Sequence, residues 1–142
     1  MNIKFLSSGE KKKLFQELDG LFGIGKLDYI FIETGKEKIR AFSGDLTKDE
    51  IILLNDAVRI ELVGMYFARK EPFSLRLGFD ATQLLSDKIK EGFIELNEDD
   101  FKLWMGGNDL KMDADDGLYA VKYGNDFLGC GYVKDEKMYN YV

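Results

Sequence analysis

The sequence predicts an α+β chain: a small N-terminal α/β domain, then a strongly bent, barrel-like sheet with short helices. Three observations carry this. Two stretches of the first half, beginning at Ser7 and Thr47, combine a capping-box spacing with apolar residues suited to a helix. The last fifth, Gly117 to Asn140, alternates apolar and polar residues with a period close to two, broken by turns. Within it, Gly129-Cys130-Gly131 puts two residues without a Cβ inside a strand, which marks a bulge, a barrel corner or a close backbone approach.

The elements follow in order. Ser7 with Glu10 opens a helix carrying Leu14, Phe15 and Leu18, and the glycine-rich stretch Gly20 to Gly25 ends it. Its G-x2-G-x-G spacing is not a dinucleotide fingerprint, since no strand precedes it. Lys11-Lys12-Lys13 reads as a solvated face. Tyr29 to Glu33 and Lys38 to Phe42 are strands of a hairpin turned at Thr34 to Glu37. Thr47 with Glu50 starts a short helix through Ile51 to Leu54. Val58 to Ala68 is a β-rich run that Gly64 bends, and Pro72 interrupts the chain before a strand at Phe73 to Leu77. The expected domains are 1–70 and 71–142, with the boundary at Lys70-Glu71-Pro72 or just after Leu77.

Asp80 caps a third helix through Leu84, Leu85 and Ile89, which Gly92 stops. Phe93 to Leu96 is a strand. Asn97 to Asp100 opens a helix holding Phe101, Leu103, Trp104 and Met105, and Gly106-Gly107-Asn108 ends it. The final strands follow: Gly117 to Tyr123, Phe127 to Val133 and Met138 to Val142. The i, i+2 spacing of Gly129 and Gly131 puts both on one face, with Cys130 on the other, and predicts that this face meets another backbone.

The composition excludes much chemistry. With no histidine among 142 residues, every His-dependent triad, His base and His-ligated metal site is absent. One cysteine cannot form an internal disulfide, which agrees with a reducing, cytoplasmic setting. No apolar run reaches membrane-spanning length and the N-terminus lacks a signal-peptide core, so neither a membrane span nor export is expected. The net charge of −6 lies wholly in residues 70–142, which carry 9 basic against 15 acidic residues. That argues against a nonspecific phosphate binder but leaves room for a local basic stripe.

Several words of the second half, Phe93-Ile-Glu-Leu96, Leu103-Trp-Met-Gly-Gly-Asn-Asp-Leu110, Val121-Lys-Tyr-Gly124, Phe127-Leu-Gly-Cys-Gly131 and Tyr139-Asn-Tyr-Val142, resemble a PUA domain. They look most like archaeal stand-alone relatives of the C-terminal RNA-binding region of RNA cytosine-5 methyltransferases. More distantly the chain is similar to ribosome-biogenesis factors of the Nip7 type, where a small α/β domain precedes the PUA domain. The resemblance covers about residues 73–142. It implies a compact PUA-like pseudo-barrel that binds structured RNA, tRNA or rRNA, in RNA modification or ribosome biogenesis. A protein partner such as an RNA-modifying enzyme fits the same picture. No cofactor, metal or membrane is expected.

The candidate RNA-binding residues are Arg76, Gly106, Gly107, Asn108, Lys111, Lys122, Tyr123, Lys134, Asn140 and Tyr141. Gly106 to Asn108 either present backbone N–H groups to a phosphate or simply close the helix. Lys111, Lys122, Lys134 and Lys137, with Arg76, are the basic residues near the last strands. Tyr123, Tyr132, Tyr139 and Tyr141 either stack on unpaired bases or pack the sheet. Cys130 between two glycines reads as a buried, inert thiol rather than a nucleophile, so no catalytic residue is expected. Asp113, Asp115 and Asp116 lack the glycine and distal glutamate of a calcium loop. The acidic balance supports a second reading, a PUA-like adaptor that docks a protein on an acidic surface.

Overall fold

The computed structural model of the chain describes residues 3–35, 37–43, 47–57, 65–71 and 74–141. It is an α+β protein. In order the elements are β1 (Ile3–Phe5), α1 (Ser8–Phe22), β2 (Tyr29–Thr34), β3 (Lys38–Ser43), α2 (Lys48–Ala57), β4 (Met65–Glu71), β5 (Ser74–Leu77), α3 (Phe79–Leu84), β6 (Phe93–Glu95), α4 (Glu98–Met105), β7 (Leu110–Lys111), β8 (Gly117–Tyr123), β9 (Asp126–Lys134) and β10 (Lys137–Asn140). Among the described residues the strands form two five-stranded sheets, β1-β2-β3-β4-β5 and β6-β8-β9-β10-β7. The first is antiparallel throughout; the second is parallel at β6–β8 and curls into a half-barrel. The expected residues Val58 to Gly64, Pro72 and Phe73 lie outside the described ones.

Both capping boxes form. The Ser7 hydroxyl accepts from the Glu10 N–H at 3.2 Å, and the Glu10 carboxylate accepts from the Ser7 N–H at 3.1 Å. That N–H, reinforced by the Lys4 ammonium, holds the Glu10 carboxyl down at about 2. Thr47 and Glu50 make the same reciprocal pair at 3.1 Å each way. The first helix ends within the expected glycine-rich stretch: it continues through Gly20 to Phe22, and Gly23 caps it. Leu14, Leu18 and Phe22 share its buried stripe. Burying Phe22 is worth about 1.5–3 kcal/mol, more than the roughly 1 kcal/mol that a mid-helix glycine costs. The third helix departs from expectation. Gly78 precedes it without a side-chain cap, Asp80 sits in its first turn, and it ends at Leu84 rather than Ile89.

β5 pairs with β4 through Leu77↔Ala68, Arg76↔Arg69, Leu75↔Lys70 and Ser74↔Glu71, so it belongs to the first sheet. A single cluster of buried residues then crosses from one sheet to the other. It joins Leu14, Leu18 and Phe22 of α1, Phe31 and Phe67 of the first sheet, and Leu118, Ala120, Phe127 and Cys130 of the second. A second cluster, around Trp104, Val121, Leu128, Val133 and Met138, fills the other face of the half-barrel.

The strand β9 separates these two clusters and carries the bend. Ala120 pairs with Cys130 and Lys122 with Phe127, so Leu128 and Gly129 together oppose Val121 alone. This is a bulge, and Gly129 adopts the left-handed φ of 82° that such a bulge requires. The bulge corrects the expectation that Gly129 and Gly131 share a face: the extra residue breaks the simple alternation between them. Cys130 does point away from Gly131, into the cluster shared by the sheets. What closes on Gly131 is side chain rather than backbone: Trp104, from the helix that ends at Gly106, and Met138.

The bulge frees the Gly129 N–H from the ladder, and the fully buried Thr82 hydroxyl accepts it at 2.9 Å. That hydroxyl donates in turn to the Phe79 carbonyl at 2.7 Å. Thr82→Val keeps the volume and removes both bonds. It is expected to destabilise the fold by about 1–3 kcal/mol, the cost of an orphaned buried donor. Urea unfolding checks this; an unchanged midpoint would show that another group satisfies the amide.

Candidate nucleic-acid interface

The sheet pairing places the basic residues. Lys134 and Lys137 flank a two-residue turn and sit opposite each other; Lys137 also pairs with Lys111 on β7. Paired residues project to the same face. The alternate residues Val133, Met138 and Leu110 are buried on the opposite face. Lys111, Lys134 and Lys137 thus form one exposed row across three strands.

Two residues along β10, the Lys137 face continues with Tyr139, opposite Tyr132. Lys137 Nζ lies 5.1 Å from the Tyr139 ring centroid and 3.7 Å from the Asp109 carboxylate. Tyr141 stacks on Tyr132 with centroids 6.5 Å apart. The Arg76 guanidinium sits 4.7 Å from the Tyr141 ring centroid and 3.4 Å from the Glu71 carboxylate. Arg76, Lys111, Lys134 and Tyr141 of the expected set therefore meet on one basic and aromatic face. Lys137 and Tyr139, outside that set, stand at its centre. The signal for Lys137 is its place three residues after Lys134 across a tight turn, which forces the two into register.

The other expected residues lie elsewhere. Lys122 Nζ rests 5.2 and 5.5 Å from the Phe93 and Phe127 rings and 3.8 Å from the Glu95 carboxylate, so it covers the shared core. Tyr123 stacks flat on Phe101 with centroids 4.1 Å apart. The Gly106, Gly107 and Asn108 N–H groups donate to the carbonyls of Lys102, Trp104 and Leu103 at 3.2, 3.0 and 3.0 Å. These amides close the helix; they are not turned to a phosphate. Asn140 points into the fold, its amide donating to the Trp104 carbonyl at 2.9 Å and the Asn108 carbonyl at 3.3 Å. It pins the end of β10 to the turn after α4.

Residues 92–142 match the family model described as the methyltransferase RsmF PUA domain. Over this segment the chain is similar to the PUA region of RNA methyltransferases. No curated protein matches it. The matched segment begins at Gly92 and takes in β6 to β10 with α4, so it contains the whole lysine row. A PUA domain is an RNA-binding module. The Arg76 guanidinium reaches it from β5, outside the matched residues.

Two further groups are accounted for by structure. Burial pushes the Cys130 thiol up to about 12, so it stays protonated and unreactive. Asp116 accepts the Asp135 N–H at 3.1 Å, and the Asp115 carbonyl accepts from the Tyr119 hydroxyl at 2.9 Å. Among the described residues no acidic or cysteine cluster has the geometry to hold a metal ion, and no helix is long and apolar enough to cross a membrane.

Proposed function

We propose that the protein is a non-catalytic RNA-binding module serving tRNA or rRNA modification or ribosome biogenesis. The observation that supports this reading is the register of Lys111, Lys134 and Lys137, one basic row beside exposed tyrosines on an otherwise acidic domain. Such a row neutralises consecutive phosphates, and adjacent rings offer stacking. In this reading residues 1–70 are a pre-PUA domain and 71–142 carry the RNA site. The pairing of β5 with β4 favours the later boundary, just after Leu77.

Titration with structured tRNA and rRNA fragments at two salt concentrations tests it. The parent chain is expected to bind with a salt-dependent affinity. The combined Lys111→Gln, Lys134→Gln and Lys137→Gln variant is expected to bind more weakly. Its salt slope should fall by about 0.7 for each single-strand phosphate left without a lysine. Absence of binding by the parent at low salt overturns the reading.

A second reading, an adaptor docking a protein partner, draws on α4. Its first turn carries Glu98, Asp99 and Asp100, and Leu103 and Met105 are about half exposed. Partners retained from a native lysate after nuclease treatment favour it; loss of all partners on nuclease treatment favours RNA.

A further inference from the structure

The lysine row spans three strands set about 4.8 Å apart, so it is about 10 Å long and one residue wide. Its two sides differ. Beyond Lys134 and Lys137 the chain turns through Asp135 and Glu136, which place two carboxylates at the tip of the hairpin. On the other side, about 7 Å along β10, stands Tyr139, its side chain more than one-third exposed. Tyr141 lies two residues further on the same face, its ring packed by Arg76 and Tyr132.

A single phosphate backbone fits along this row. A second one, as in a duplex, would pass either over the Asp135 and Glu136 carboxylates or over the rings. A duplex also keeps its base faces stacked on one another, so it offers none to an exposed tyrosine. An unpaired strand offers both a lone backbone and free base faces. The Lys137 ammonium lies over the Tyr139 ring and 3.7 Å from the Asp109 carboxylate, so a phosphate on the row competes with Asp109 for it while the cation stiffens the stacking platform.

We infer that this face takes an unpaired RNA strand, with its phosphates along Lys111, Lys137 and Lys134 and a base stacked on Tyr139. Tyr141, held by Arg76, walls the base site on the far side. This rests on the RNA-binding reading above and specifies which part of a structured RNA is held.

Three probes separate the outcomes: a short oligocytidine, a blunt RNA hairpin, and the same hairpin with an unpaired extension. Fluorescence anisotropy with the full chain is expected to give similar affinities for the oligocytidine and the extended hairpin. The blunt hairpin should bind roughly tenfold or more weakly, the size of one base stack. Tyr139→Ala should weaken the oligocytidine about fivefold or more and leave the blunt hairpin unchanged, while Tyr139→Phe retains parental binding. A blunt hairpin bound as tightly as the extended one overturns the inference and leaves RNA binding standing. So does a Tyr139→Ala chain with parental affinity for oligocytidine. Binding to none of the three probes overturns RNA binding itself, and the inference with it.

Discussion

Gly92→Ala is expected to be severely destabilising, by about 2–5 kcal/mol. Gly92 enters the second sheet with a φ of 69°, where an L side chain is strained. A Cβ there would lie 1.8 Å from the Leu21 carbonyl oxygen and 2.9 Å from its carbon. Those are backbone atoms at the end of α1, locked by packing, and they cannot rotate away. The Phe22 carbonyl accepts the N–H groups of Lys90 and Glu91 at 2.9 and 3.2 Å, so the same turn is tied to the helix on both sides. Relief requires moving α1 from the shared core or breaking these bonds. Thermal unfolding reads the effect at about 2–4 °C per kcal/mol for a chain of this size. A melting temperature within a degree or so of the parent's would show that the helix and the turn are not in contact in solution.

Gly131→Val is the second large effect. A Cβ at this position would meet Met138 Cγ at 2.7 Å, Trp104 Cη2 at 2.8 Å and Met138 Sδ at 2.9 Å. Met138 can change rotamer, but Trp104 cannot follow easily. Its indole N–H donates to the Leu128 carbonyl at 3.1 Å, and its own carbonyl accepts from Asn140. Overpacking of this kind costs about 1–3 kcal/mol, and a branched side chain belongs at the upper end. The melting temperature should fall by several degrees. Cys130→Ala, on the opposite face, removes one small apolar atom and should be milder. Parental stability of Gly131→Val would show that the Trp104 pocket yields, and would free the glycine for a ligand's approach.

The parts of this fold legible in the sequence are those decided locally. Ser7 with Glu10 and Thr47 with Glu50 write both ends of their hydrogen bonds within four residues, and the structure contains them. The hairpin of β2 and β3 is equally local. What escapes a reading of the sequence depends on partners far along the chain. β1 and β7 have three and two residues, too short for any period, and exist because β2 and β10 supply an edge. The Gly20 to Gly25 stretch marks where α1 stops, but which glycine caps it is decided by Phe22, buried among residues that include the other half of the protein. The bulge at Gly129 is foreseeable from the two glycines, but the hydroxyl that satisfies it comes from Thr82, forty-seven residues earlier. At the interface, lysines and tyrosines are recognisable by type. Register sorts them, gathering Lys111, Lys134 and Lys137 and sending Lys122 and Tyr123 to other packing roles.

The core that crosses between the sheets bears on how this protein can be dissected or recombined. A portable cassette is closed on every side, so it can be cut out and grafted to a new neighbour. Here Leu118, Ala120, Phe127 and Cys130 are covered in part by α1 and the first sheet, and Gly92 is moulded to the end of α1. Excising the matched segment would lay that apolar face open to water, and grafting it onto another protein would require a neighbour of the same shape. The matched segment and its companion are therefore bound to change together: a substitution that reshapes α1 presses directly on the sheet that carries the lysine row.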